Sequence, residues 1–173
     1  MKTFDTWEFY RHDREALNET NDCVVRALSA FLDKPYIRVH KWCSDAMDRK
    51  HRKGVSSIQQ MAKLLVYDNP TVSDLVTMSA NSSSTRRFKH HIDMYGSDML
   101  CQEEIDDLKD GVVDILPPEN KVLTLGKFIK DIAKLNKKYL VVVKGHALAV
   151  VNGTVYDNND IRSLAHVRFV WEK

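Results

Sequence analysis

The chain has only three cysteines, six glycines and four prolines in 173 residues, and a formal net charge of just +2. Three cysteines without framework spacing exclude a disulfide-stapled secreted domain and point to a reducing cytoplasm. The glycines do not cluster, so no glycine loop is available to cradle phosphates. A charge this close to neutral excludes a polycation built as a whole for nucleic acid. No apolar run approaches the roughly 20 residues that span a bilayer, so no membrane association is expected. The segment Met1–Trp7 lacks the apolar core of a signal peptide. Internal repeats and low-complexity tracts are absent, with Ser82-Ser83-Ser84 only marking a loop. What remains is the ordinary composition of a globular protein, 43% hydrophobic and 29% charged, long enough for a single domain over residues 1–173 with a real core.

Periodicity places helices first. Apolar residues recur as Val24, Ala27, Leu28, Phe31 and Leu32 after a capping candidate at Asn21 or Asp22, and Asp33-Lys34-Pro35 ends that helix. A second helix reads from Tyr36 to Arg49 with Tyr36, Val39, Trp42, Cys43 and Met47 inward, and a third from Ser56 or Ser57 to Leu65. Between 71 and 78 helix and strand remain equally open. Asn81–Thr85 reads as a polar loop, Glu103–Leu108 as a short helix and Val112–Leu116 as a strand before Pro117-Pro118. Thr124–Leu135 is helical in pattern, and Tyr139–Val143 is an apolar strand followed by a bend at Lys144-Gly145. His146–Val151 and Thr154–Asp157 flank Asn152-Gly153, the strongest short hairpin signal. A final strand covers His166–Trp171. This order predicts an α+β fold, with a helical first half and a C-terminal antiparallel sheet.

Cys23 falls at a helix start, where partial positive charge favours thiolate over thiol. A thiolate nucleophile needs a base and a group that orients the base. With Asn152-Gly153 as the turn, Val151 faces Thr154 and Leu148 faces Asp157. His146 is then the diagonal neighbour of Asp157, with Cα atoms about 7–8 Å apart. Asp157, inside the predicted strand, is the preferred partner, and Asn159 is the fallback.

A cysteine opening a helix, a histidine on a strand and an Asp or Asn on the next strand is the order found in the papain-like cysteine peptidase superfamily, which this chain resembles. The stretches Asn21–Leu28, Gly145–Val150 and Gly153–Asp157 are similar to those of small papain-like proteins encoded by bacteriophages, and more loosely to peptidases that trim bacteriocin leaders. The resemblance implies a papain-like fold with the Cys23 helix packed on the sheet. It assigns Cys23 as nucleophile, His146 as general base and Asp157 as orienter, acting without a cofactor on a peptide or protein, in the host cytoplasm if phage-encoded. The family places a glutamine six residues before the cysteine to bind the oxyanion. Here that position is Leu17. Asn18 is the nearest amide, Asn21 and Asp22 are close in sequence, and the backbone N–H of Cys23 is a further donor. Peptide or isopeptide hydrolysis is the leading expectation, and deamidation or transamidation would use the same thioester.

Two other constellations carry chemistry. His40 and Cys43, with His90 and His91, lack zinc-site spacing, so no metal is expected. Arg38, Lys41, Arg49, Lys50, Arg52 and Lys53, with Arg86, Arg87 and Lys89, form basic segments. They read first as a solvated helix face. The alternative is an inactive papain-like protein that contacts an acidic host partner or nucleic acid through this basic patch.

Overall fold

Tyr139–Val143 is apolar at every position, the mark of a strand buried on both faces. In the computed structural model, which describes residues 1–45, 49–68, 74–116, 122–158 and 160–173, the fold is built around that strand. The elements in chain order are β1 (Thr3–Asp5), α1 (Thr6–Phe9), α2 (Arg11–Ala16), α3 (Cys23–Leu32), α4 (Tyr36–Asp45), α5 (Ser57–Tyr67), β2 (Val76–Ser79) and α6 (Ser82–Gly96). They continue with α7 (Gln102–Asp110), β3 (Val113–Asp114), α8 (Leu125–Asp131), β4 (Lys138–Val143), β5 (His146–Val151), β6 (Thr154–Asp157) and β7 (Val167–Glu172).

The strands form one sheet in the order β1-β6-β5-β4-β7-β2-β3. Its centre is antiparallel, while β1 pairs parallel to β6 and β3 parallel to β2. The expected α+β order therefore holds in outline, but the sheet is mixed and is not confined to the last third. Short strands from residues 3–5, 76–79 and 113–114 extend both edges.

Alternation along β4 divides the core. Leu140 and Val142 face a helical layer with Ala147, Ala149, Phe169 and Trp171, against Val25, Leu28 and Phe31 of α3 and Phe88 of α6. Tyr139, Val141 and Val143 face the other side with Leu148, Val150 and Val155, covered by Leu125 and Phe128 of α8. The two alanines of β5 present a low surface, so α3 lies closely over that strand.

The turns follow from local chemistry. Asn152 and Gly153 have φ of 50° and 72°, the left-handed pair of a type I′ hairpin. The pairing is Val151 with Thr154 and Val150 with Val155, the register read from the sequence. Val143 pairs with His146, so Lys144-Gly145 is a tight two-residue turn, with φ of 72° at Gly145.

Several boundaries differ from expectation. Asn81–Thr85 is not a loop: Asn81 caps α6 by accepting from the Ser84 N–H at 3.1 Å, and Ser82–Ser84 are its first turn. The second helix ends at Asp45, and Met47 lies outside the described residues. α8 stops at Asp131, β3 has two residues, and the strand option within 71–78 is realised as Val76–Ser79.

Candidate active site

Cys23 is the first residue of α3, and His146 is the first residue of β5, just after the Gly145 turn. The close approach of α3 to β5 brings them together. His146 and the Ala147 N–H both act on the Cys23 sulfur and favour its charged form. On its other side, His146 Nε2 lies 2.7 Å from Asp157 Oδ2. The second ring nitrogen, Nδ1, is thereby left for the sulfur. The Asp157 side chain is buried, 1% exposed, whereas His146 retains 26% exposure. Asn159, the alternative partner, lies outside the described residues.

The electrostatics favour an ion pair. Burial pushes the Cys23 thiol up, but the bonds from His146 and Ala147 and the charges of His146 and Arg26 outweigh it and bring the thiol below its ordinary 9. For His146, burial opposes the imidazolium, yet the hydrogen bonds and charges of Asp157 and Cys23 raise it to about 9. The same geometry thus stabilises thiolate and imidazolium together.

Behind this pair runs a buried polar chain. Arg26 Nη1 lies 3.7 Å from Asp157 Oδ1, and Arg26 Nε donates to Asp22 Oδ1 at 3.1 Å. Arg14 Nε donates to Asp22 Oδ2 at 2.8 Å, and the Tyr36 hydroxyl donates to the same oxygen at 2.7 Å. Arg26 Nη1 also donates to Thr6 Oγ1 at 2.6 Å, and the Arg14 guanidinium stacks 3.2 Å from the Trp7 ring centre. Asp22 and Arg26 share one helix turn, a spacing readable in the sequence. Arg14 carried no such signal.

The expected oxyanion candidates resolve differently. Asp22 is fully occupied by Arg14, Arg26 and Tyr36 and makes no capping bond to α3, so it is a buried hub and not a donor to the cleft. The Asn21 amide donates to the Arg52 carbonyl at 2.9 Å. Asn18 is exposed in a left-handed turn, with φ 48°, and does not line the cleft at Cys23. Leu17 packs against the helical-side core. The start of α3 nevertheless provides N–H groups: Arg26 is the first residue to bond within the helix, to the Asp22 carbonyl at 3.0 Å. Those of Cys23, Val24 and Val25 have no intrahelical acceptor.

The loop before Cys23 is pinned from residues 49–52. Arg49 donates to Glu19 Oε2 at 2.8 Å and to the Asn21 carbonyl at 3.0 Å, and His51 donates to the Leu17 carbonyl at 2.7 Å. Arg49 is 2% exposed, so it does not belong to a surface basic patch. Lys41 pairs with Asp45, Lys89 with Asp110, and Arg87 lines the Cys23 cleft. The proposed patch is therefore divided between structural pairs and the cleft; Arg38, Lys50, Arg52, Lys53 and Arg86 remain exposed.

That cleft has a volume of about 160 Å³. Cys23, Gly145 and His146 form one wall, with Ser56, Ser57 and Ile58 from the start of α5. Ser84 and Arg87 of α6 and Arg168 of β7 complete its polar lining. Sequence reading missed Arg168 because a β-bulge places it: Val142 pairs with Phe169 but Val143 with Val167, leaving Arg168 as the extra residue. Among the described residues no cluster of metal-ligating side chains occurs, and no helix is long and apolar enough to cross a membrane. Comparison with known protein families, curated proteins and solved structures finds no match to this chain.

Proposed function

We propose that this protein is a papain-like cysteine hydrolase that cleaves peptide or isopeptide bonds through a thioester. The observation carrying this reading is that Cys23 and His146 line one open cleft, with His146 held by a 2.7 Å hydrogen bond to buried Asp157. Cys23 attacks the substrate carbonyl as thiolate. The carbonyl oxygen becomes an oxyanion held by the Cys23 backbone N–H at the α3 start. His146 gives its proton to the leaving amine as the C–N bond breaks, and then takes one from the water that hydrolyses the thioester. Asp157 fixes the ring so that Nδ1 addresses the sulfur. An amine in place of that water would give transamidation, and a side-chain amide as substrate would give deamidation, on the same residues.

Iodoacetamide labelling followed by peptide mapping tests the nucleophile. Cys23 should react far faster than the other two cysteines, and His146→Ala should slow it at least tenfold. Equal rates at all three cysteines would refute the reading.

A further inference from the structure

Arg87 and Arg168 enter the Cys23 cleft from different elements, α6 and β7. Among the described residues neither forms an ion pair. The one side-chain bond of Arg87 is a 3.3 Å donation to Ser56 Oγ, which leaves most of its donors unused. Among the described residues no carboxylate lines the cleft; its other polar side chains are Ser56, Ser57, Ser84, Cys23 and His146. The bulge in β7 adds Arg168 at the point where β4 gives way to the His146 turn. The starts of α5 and α6 contribute Ser57 and Ser84 to the same space, and helix starts favour negative charge. Planar guanidinium forks match carboxylate oxygens in pairs.

The geometry points to Arg87 and Arg168 as an anion subsite beside Cys23 that selects acyl substrates carrying a carboxylate close to the scissile bond. This rests on the acyl-transfer reading above. The carboxylate arrives either as an acidic side chain on the acyl side or as a carboxylate on the leaving side, such as a chain terminus. A cleft of about 160 Å³ accommodates a short acidic group. Its attraction is screened by salt.

The test compares isosteric esters. On the acyl side, 4-nitrophenyl hydrogen glutarate is set against neutral 4-nitrophenyl valerate. On the leaving side, 3-carboxy-4-nitrophenyl valerate is set against the same neutral ester. In each, the Cys23 sulfur forms a bond to the carbonyl carbon, the carbon–oxygen bond breaks, and the nitrophenolate leaves with the electron pair. Water then hydrolyses the thioester. Rates are read as nitrophenolate release above that of the ester alone, because the glutarate carboxylate also attacks its own carbonyl, and are divided by the corresponding rates of N-acetylcysteine. A charged-over-neutral preference of tenfold or more is expected in one pair. It should fall to near unity in the Arg87→Gln, Arg168→Gln double variant and fall with added salt. Arg87→Glu, at an exposed helical position, should reduce it even if the double variant folds poorly. The pair showing the preference assigns the side of the carboxylate. No preference in either pair, or one indifferent to both sets of arginine variants, overturns the subsite while Cys23-dependent release leaves the nucleophile standing. Release above the enzyme-free rate that is undiminished in Cys23→Ala overturns the acyl-transfer reading and the subsite with it.

Discussion

Replacing Asp157 by asparagine keeps the shape of the side chain and removes its charge. The 2.7 Å bond to His146 Nε2 can persist, since the asparagine oxygen still accepts. The imidazolium, however, loses its buried counter-charge. His146 stands at about 9 instead of its usual 6.5, a preference for the protonated ring worth roughly 3 kcal/mol at 1.36 kcal/mol per pKa unit. Asp157 and Cys23 share that preference, so removing the Asp157 charge should lower His146 by about one unit or more and weaken its hold on the thiolate tenfold or more. The wild-type protein should keep its Cys23 alkylation rate to lower pH than an unperturbed cysteine does, because the thiol lies below its ordinary 9. In Asp157→Asn the decline should begin at higher pH, and thiolate ultraviolet absorbance should shift in parallel. Circular dichroism checks that the fold survives. A variant with the wild-type pH profile would refute this account of the site's electrostatics.

Other perturbations separate structure from chemistry. Cys43 is buried and pushed up to about 12, so it should resist alkylation until the protein unfolds, which timed labelling in denaturant reads directly. Burial alone would raise Glu19, but Arg49, His40 and the Thr20 N–H hold it down at about 2. Because its folded value is depressed, its contribution is present above 4.5 and is lost as pH falls towards 2, a decrease of roughly 3 kcal/mol visible in acid denaturation. Glu19→Ala leaves Arg49 buried without its carboxylate and should cost about 3–5 kcal/mol in urea unfolding. Gly153→Ala puts a side chain at φ 72°, with its Cβ 3.0 Å from Leu135 Cδ2, and should cost about 1–2 kcal/mol with the labelling of Cys23 unchanged.

The parts legible in the sequence are those governed by local rules. Asn152-Gly153 fixes the β5–β6 register, and that register places Asp157 diagonally from His146. The α3 periodicity places Cys23 at a helix start. Of the sheet edges, β3 falls inside the strand read at Val112–Leu116 and β2 largely inside the segment left open between helix and strand, while β1, with three residues, is too short to display alternation and was not legible. Ser82–Ser84 resemble a loop in composition, yet an asparagine before them makes them a helix start. Arg49 lies in a basic run, and only the tertiary position of Glu19 draws it inside. Arg168 depends on a register slip between two strands, which no single strand records.

The series Arg14, Asp22, Arg26, Asp157, His146 and Cys23 alternates in formal charge. With thiolate and imidazolium present, the six groups sum to zero. When the sulfur attacks, its negative charge passes to the carbonyl oxygen within the same cluster. When His146 then protonates the leaving group, positive and negative charge vanish together, and the four remaining groups still sum to zero. The low-dielectric interior therefore never holds a monopole during the proposed reaction, only dipoles of changing length, and no counter-ion has to enter or leave. Added salt should accordingly act on the arrival of an anionic substrate at Arg87 and Arg168, and leave acyl transfer from a neutral ester nearly untouched.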